Sequence, residues 1–194
     1  MTSLVRISSG SLLLALLASP GLMTAAQPSV RNQAAAKETM PGVESYTRLD
    51  ASVACGGTTS AEAFPELKRR GFKAVINLRQ PTEPNANIEA EGEAARAAGL
   101  KYINLPFSTG APNAASLVEP FLKLVTDPSN LPVLVHSVRA HRAVGMLLIK
   151  RVLVDGWNVD KALAEADATA LSDGSPGAGA ARKFGLDYIN AHPK

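Results

Sequence analysis

The residues of this chain best suited to chemistry lie in one short segment, His136–Arg142, which reads HSVRAHR. A serine hydroxyl is a potential nucleophile, a histidine is a potential general base, and a guanidinium can bind two oxygens of one phosphate group. Arg142 is the best candidate ligand for such an anion. The segment therefore predicts an oxyanion-binding loop formed by Ser137, Val138, Arg139, Ala140, His141 and Arg142.

This 136–142 loop lies between a predicted strand and a predicted helix. Before it, Pro132–Val135 is an apolar run typical of a strand buried on both faces of a parallel sheet. After it, Val144, Leu147 and Leu148 recur at helical spacing. Backbone N–H groups at such a turn lack internal partners, and the helix dipole adds partial positive charge. The geometry predicts an anion site.

The rest of the chain predicts a sheet around this strand. Strands are predicted at 46–49, 52–54, 73–79, 102–106 and 131–136. Helices are predicted at 59–70 with Thr59 as its cap, at 88–98, at 114–126, from 142 onward, at 160–170 and at 182–190, with a glycine-rich break at 173–180. The alternation predicts an α/β fold with a mainly parallel central sheet of four to five strands, helices on both faces, and ligands at the carboxyl ends of the strands.

The 136–142 loop resembles the phosphate-binding loop of the protein tyrosine and dual-specificity phosphatase superfamily, which starts with His-Cys and ends on an Arg. His136 matches the His, Ser137 stands at the Cys position and Arg142 matches the Arg. Four residues separate Ser137 from Arg142, as in a bacterial branch found beside lactamase-like hydrolases and NAD-kinase-like domains. The resemblance implies a phosphatase-like fold in which His136 supports the loop.

Further segments support the assignment to that branch. They recur there in the same order and extend the resemblance over about 45–168: GFKAVINLRQPTEPN, EAARAAGLKYINLPF, VLVH and RVLVDGW.

The serine changes the chemistry that the resemblance implies. These phosphatases attack phosphorus with a cysteine thiolate, whereas Ser137 stays neutral unless a base removes its proton, and only His136 and His141 are candidates. A general acid is also needed. The corresponding region, FSTGAPNAAS, contains no acid, and Asp127 lies only ten residues before Ser137. The sequence thus predicts a phosphatase-like protein with impaired turnover and a retained anion site.

Other interpretations of the segment stay open. A histidine that activates Ser137 would give an active phosphoric monoester hydrolase with an altered mechanism. A rhodanese-like sulfur carrier has a similar loop but also needs the cysteine. Ser137 could instead be an ordinary helix cap, and Arg139 a solvated charge. Arg79 either lines the site or pairs with a nearby carboxylate.

Composition narrows the class of partner. The chain has 194 residues, 46% of them hydrophobic, and a formal net charge of +3, which fits one globular domain with flanking segments. This mild charge is too low for a nucleic-acid binder, so the expected partner is a phosphorylated or anionic small molecule or protein. We expect no metal and no cofactor. The single cysteine, Cys55, is predicted to be a small buried or partly buried residue without an internal disulfide.

Residues 1–26 predict a signal peptide. Arg6 gives a positive start, Leu12–Leu17 an apolar core, and Ala26 a small residue before the cleavage site. The apolar run is too short to span a bilayer comfortably. The mature chain is expected to start at Gln27, to have no membrane span, and to be periplasmic or secreted.

The remaining chain divides into two parts. Residues 27–43 show no periodicity and predict a flexible linker. Residues 44–194 then form the phosphatase-like domain.

Overall fold

The computed structural model describes residues 1–2 and 35–193, so the predicted signal peptide lies almost wholly outside the described residues. A six-stranded sheet has the order β1-β2-β3-β6-β4-β5. The strands are β1 (Ala36–Lys37), β2 (Thr47–Arg48), β3 (Val53–Gly56), β4 (Ala74–Asn77), β5 (Lys101–Asn104) and β6 (Val133–His136). Strands β3, β6, β4 and β5 are parallel, whereas β1 and β2 pair antiparallel. The predicted α/β fold with a mainly parallel sheet is confirmed, with one strand more than expected.

Six α-helices are described, together with two shorter helical turns. The α-helices are α1 (Ala63–Arg69), α2 (Ile88–Ala97), α3 (Val118–Thr126), α4 (His141–Leu153), α5 (Val159–Ala166) and α6 (Pro176–Ala191). A 3-10 turn (Ala114–Leu117) precedes α3, and a π-helical turn (Asp167–Leu171) follows α5. No helix of the described part is long and apolar enough to cross a bilayer.

Strand β6 lies at the centre of the sheet and is buried on both faces. Successive side chains of a strand point to opposite faces. Val133 and Val135 accordingly pack in the cluster that contains Phe121 of α3 and Ile149 of α4. Leu134 packs in the other cluster, with residues of α1 and α2. Helices therefore cover both faces, as predicted.

Helix α6 corrects the predicted glycine-rich break at 173–180 and the short helix at 182–190. It starts at Pro176 and is capped by Ser175, whose hydroxyl accepts a hydrogen bond from the Ala178 N–H (3.2 Å). The helix continues through the glycines of this segment, and two of its glycines allow close packing on α4: a Cβ at Gly177 would lie 3.0 Å from His141 Nδ1, and a Cβ at Gly185 would lie 3.1 Å from the Gly145 carbonyl oxygen.

The predicted Thr59 cap is wrong. Helix α1 begins at Ala63, and the Thr59 hydroxyl donates to the Gly57 carbonyl instead (3.2 Å). The residues before the helix are bound by the preceding segment, since the Ser60 N–H donates to the Gly42 carbonyl (2.8 Å). This tertiary contact replaces the local cap.

The described end of the predicted linker is folded. Ala36–Lys37 form β1, and Met40 and Val43 are buried with Tyr46 in the α1/α2 cluster. Their apolar side chains are too widely spaced to give a periodic pattern in the sequence. The folded domain therefore begins before residue 44, and residues 27–34 of the predicted linker lie outside the described part.

Candidate oxyanion site

The 136–142 loop leaves the carboxyl end of β6 and turns directly into α4. Its first residues continue the pairing with β3: the Ser137 N–H donates to the Gly56 carbonyl (3.2 Å), and the Thr58 N–H donates to the Val138 carbonyl (3.0 Å). On the other side, the His136 carbonyl accepts from the Leu78 N–H (2.9 Å). The loop is thus held between two neighbouring strand ends.

Ala140 takes a left-handed backbone conformation, with φ 64° and ψ −18°. This conformation brings Cβ close to the following carbonyl oxygen and costs an ordinary residue about 1 kcal/mol. Ala140 immediately precedes α4 and has no side-chain acceptor to cap it. The first N–H groups of α4 are therefore left for a ligand.

The Arg142 side chain is held by three neighbours. Its Nη1 donates to Glu83 Oε1 (2.5 Å), to the Phe107 carbonyl (2.7 Å) and to the Leu78 carbonyl (3.2 Å). Its Nη2 donates to Glu83 Oε2 (2.8 Å). None of the hydrogen bonds among the described residues uses Nε. The guanidinium is fixed in orientation, with Nε and one Nη2 proton still available to an oxyanion.

Glu83 is ionised in this setting. Burial raises the pKa of Glu83, but hydrogen bonds from Arg142 and from the Gln80 N–H outweigh it and hold the pKa below its usual value. The carboxylate thus stays charged at neutral pH.

His136 lies under the loop in a buried polar network. Its side chain is fully buried, and its Nε2 lies 2.7 Å from Glu91 Oε1, although the N–H does not point at that oxygen. Asn77 Nδ2 donates to Glu91 Oε2 (3.2 Å) and to the Tyr102 hydroxyl (2.8 Å). Burial, and then the charge of Glu91, raise the pKa of Tyr102, so its hydroxyl stays protonated. The imidazole is thus placed next to α2.

Ser137 has no base beside it. Its hydroxyl is buried and makes no hydrogen bond within the described residues. His141 Nε2 instead pairs with Asp173 Oδ2 (2.7 Å). The other nitrogen of His141, Nδ1, faces α6, since a Cβ built at Gly177 would lie 3.0 Å from it. Both ring nitrogens of His141 are thus directed at other groups.

Asp173 is committed to structural contacts, and Asp127 lies away from the loop. Hydrogen bonds from Ser175, and then from His141, lower the pKa of Asp173 to about 2. Asp127 caps the end of α3, before the amino end of β6, whereas the loop leaves the carboxyl end of that strand. Asp127 therefore lies at the amino end of β6, whereas Ser137 lies at its carboxyl end.

The remaining predicted site residues have separate surroundings. Arg139 is exposed, Val138 is 37% exposed, and the Arg139 side chain makes no hydrogen bond within the described part. Arg79 is buried and donates to the Pro84 (2.6 Å) and Asn85 (3.1 Å) carbonyls, with Glu83 3.5 Å away. Arg79 therefore stabilises the segment after β4 and does not contact the 136–142 loop through these hydrogen bonds.

Two carboxylates that contact the loop were not predicted. Glu83 and Glu91 follow β4, and they meet the loop because β4 lies next to β6 in the sheet. The sequence alone gives no signal for that adjacency.

Metal and thiol chemistry find no support in residues 35–193. No group of three or more potential metal-ligating side chains occurs there. Cys55 is fully buried, as predicted, and burial raises its pKa to about 12. Its thiol is therefore unreactive.

Sequence comparison assigns most of the chain to one family. Residues 27–178 match the family model PTP-NADK, described as a DSP-PTPase phosphatase fused to NAD+ kinase. A curated relative, "Probable NAD kinase 2, chloroplastic" of Oryza sativa subsp. japonica, is 28% identical over 100 residues. The match covers 51% of this chain but 10% of that protein, so the chain spans about a tenth of the relative's length.

Solved structures share the fold at low identity. A DUF442 phosphatase-family protein of Shewanella putrefaciens CN-32 has a TM-score of 0.64 at 19% identity, covering 79% of this chain and 94% of its own. The catalytic core of the PP-IP phosphatase SIW14 of S. cerevisiae has a TM-score of 0.60 at 18% identity (78% and 90%). A Cys-to-Ser variant of P. aeruginosa TpbA has a TM-score of 0.60 at 19% identity (82% and 99%). Together with the family match over 27–178, this fold makes the chain a member of the dual-specificity and protein tyrosine phosphatase family.

Proposed function

We propose that this protein is a phosphatase-like domain that binds phosphate or a similar oxyanion at the 136–142 loop and does not hydrolyse phosphate esters at an ordinary rate. The observation that carries the proposal is the isolation of the Ser137 hydroxyl, which has no hydrogen-bond partner within the described residues. A serine is activated by an adjacent general base. His136 contacts Glu91, and His141 contacts Asp173.

The absence of an acid supports the same conclusion. Departure of an alcohol or an ordinary phenol from phosphorus is accelerated by a general acid that protonates the leaving oxygen. The segment 107–116 contains no Asp or Glu. Asp127 lies near the amino end of β6, away from the loop, and Glu83 is held ionised by Arg142.

Anion binding uses parts of the loop that are retained. The N–H groups at the start of α4 and the free donors of Arg142 suit a tetrahedral oxyanion. Related folds support this: TpbA with serine in place of a cysteine was solved in complex with phosphotyrosine, and the SIW14 core in complex with citrate. A serine in this fold is thus compatible with a bound anion.

A turnover assay tests the proposal. Purified protein is incubated with phenyl phosphate, whose leaving oxygen departs slowly unless an acid protonates it, with Ser137→Ala as the control and Ser137→Cys as a restored nucleophile. We expect no hydrolysis by the wild type above the Ser137→Ala background. Ser137→Cys should hydrolyse the ester only weakly, because the leaving group still lacks an acid. Robust wild-type turnover abolished by Ser137→Ala would establish the alternative, an active hydrolase.

The proposal includes export of the protein. Residues 1–26 have the pattern of a signal peptide. Protein recovered from the cell envelope or the medium should have the intact mass of a chain that starts at Gln27. A mass that retains Met1 would refute cleavage at this site.

A further inference from the structure

A groove of about 520 Å³ opens beside the 136–142 loop, where Arg139 and His141 form one wall. A second wall is the segment that begins at β1 and ends at β2. The third is the π-helical turn and the residues after it. The residues that line these two walls are Lys37, Glu38, Thr39, Met40, Val43, Glu44, Ser45, Tyr46, Thr169, Ala170 and Asp173. Its volume is in the range of small-molecule sites.

Two acidic residues of the groove already have side-chain partners. Glu38 lies 3.4 Å from Arg70, which offsets its charge, and Asp173 Oδ2 lies 2.7 Å from His141 Nε2. These contacts occupy both carboxylates.

The two cationic side chains that line the groove have no side-chain partners within the described residues. Lys37 and Arg139 are both exposed, and neither forms an ion pair or a side-chain hydrogen bond within residues 35–193. Glu44 is the one lining carboxylate in that part of the chain with no Arg, Lys or His within ion-pair distance. Two free cations therefore face one free carboxylate, in a groove adjacent to a predicted anion site.

The apolar residues of the groove contribute little accessible surface. Met40, Val43 and Tyr46 are 3%, 8% and 2% exposed, because their side chains pack in the α1/α2 cluster. The accessible wall is therefore mostly polar. An aromatic ring would gain little from it, whereas a polar anionic group would find charged donors.

We propose that this groove holds the body of a small organic ligand with a second anionic group, which Lys37 and Arg139 bind while the 136–142 loop binds the first. This inference rests on the proposed function. It makes Lys37, a residue outside the loop, a determinant of ligand specificity.

Calorimetric titration with three probes tests the inference: inorganic phosphate, fructose 6-phosphate and fructose 1,6-bisphosphate, at matched ionic strength. The wild type should bind the bisphosphate about fivefold to tenfold more tightly than the monophosphate, the gain expected from charge-assisted contacts at a partly exposed site. Lys37→Gln should reduce this ratio to about twofold or less, because one of the two cations is lost. Glu44→Gln should increase the ratio, because it removes the repelling charge.

The control is Lys73→Gln, which removes a positive charge of the same kind far from the groove. Lys73 directly precedes the amino end of β4, and its Nζ lies near the Pro128 carbonyl (3.4 Å). It should leave the ratio unchanged. Equal affinity of the wild type for both sugar phosphates, or the same fall in Lys37→Gln and Lys73→Gln, would overturn the inference. Inorganic phosphate separates the two claims: if phosphate binds but the bisphosphate has no advantage, only this inference fails, and if phosphate does not bind, the proposed function fails.

Discussion

Glu83 and Arg142 form a two-point ion pair across 59 residues of sequence, with Nη1–Oε1 at 2.5 Å and Nη2–Oε2 at 2.8 Å. The pair joins the segment after β4 to the first turn of α4. It fixes the orientation of the guanidinium before any ligand arrives, which lowers the entropic cost of binding. The anion site and the stability of the fold thus share one contact.

The stability of this pair should depend on pH. The folded-state pKa of Glu83 is below its ordinary value of 4.5, so its ionised form stabilises the fold above that pH, and the contribution is lost as pH falls through the folded-state pKa. We expect Glu83→Gln to lower the free energy of unfolding by about 1 kcal/mol at neutral pH. The difference from the wild type should shrink below pH 4.5.

Urea unfolding of both proteins at neutral and acidic pH measures this effect. Glu93→Gln, an exposed carboxylate of α2, serves as the control and should change stability little. A Glu83→Gln deficit that does not vary with pH would contradict the assigned charge state.

Replacing Ala140 with glycine should not lower the stability of the protein, whereas the same replacement at Ala164 should. Glycine relieves the left-handed strain of about 1 kcal/mol, which offsets the buried methyl group that is lost. Ala140→Gly is therefore expected to be as stable as the wild type or more stable. Ala164→Gly, at an exposed position inside α5, should lose about 0.5–1 kcal/mol.

Thermal or urea unfolding of Ala140→Gly and Ala164→Gly measures the change in stability at each position. Equal losses at both positions would mean that no strain is stored at Ala140.

The contact between α4 and α6 gives a second matched pair. A Cβ at Gly145 would lie 2.8 Å from the Ala181 carbonyl oxygen, so Gly145→Ala must push the helices apart and should cost about 1–3 kcal/mol. Gly179, also in α6, has open space around it. Gly179→Ala should raise stability by about 0.4–1 kcal/mol. Unfolding curves that give the same sign for both substitutions would refute the close helix contact.

The part of the site that could be predicted from sequence is the part encoded locally. The apolar run before His136 and the helical spacing after Arg142 are enough to place a strand, a turn and a helix in that order.

The rest depends on contacts between distant segments. Glu83 and Glu91 reach the loop only because β6 lies between β3 and β4, an order that no local pattern shows. Pro176–Ala180 looks like a break because its glycines have poor helix propensity, yet close packing on α4 favours small residues there. Met40 and Val43 fold onto the domain for the same reason, through tertiary burial.

The central claim is that the 136–142 loop binds an oxyanion through Arg142 without processing it. The most direct test is calorimetric titration of phosphate into the wild type and into the double variant Glu83→Gln/Arg142→Gln, which removes both charges and leaves no unpaired carboxylate. Circular dichroism of the double variant verifies its fold, and ionic strength is held constant. We predict saturable one-to-one binding to the wild type and no binding to the double variant. Equal binding by both proteins, or none by the wild type, would contradict the account.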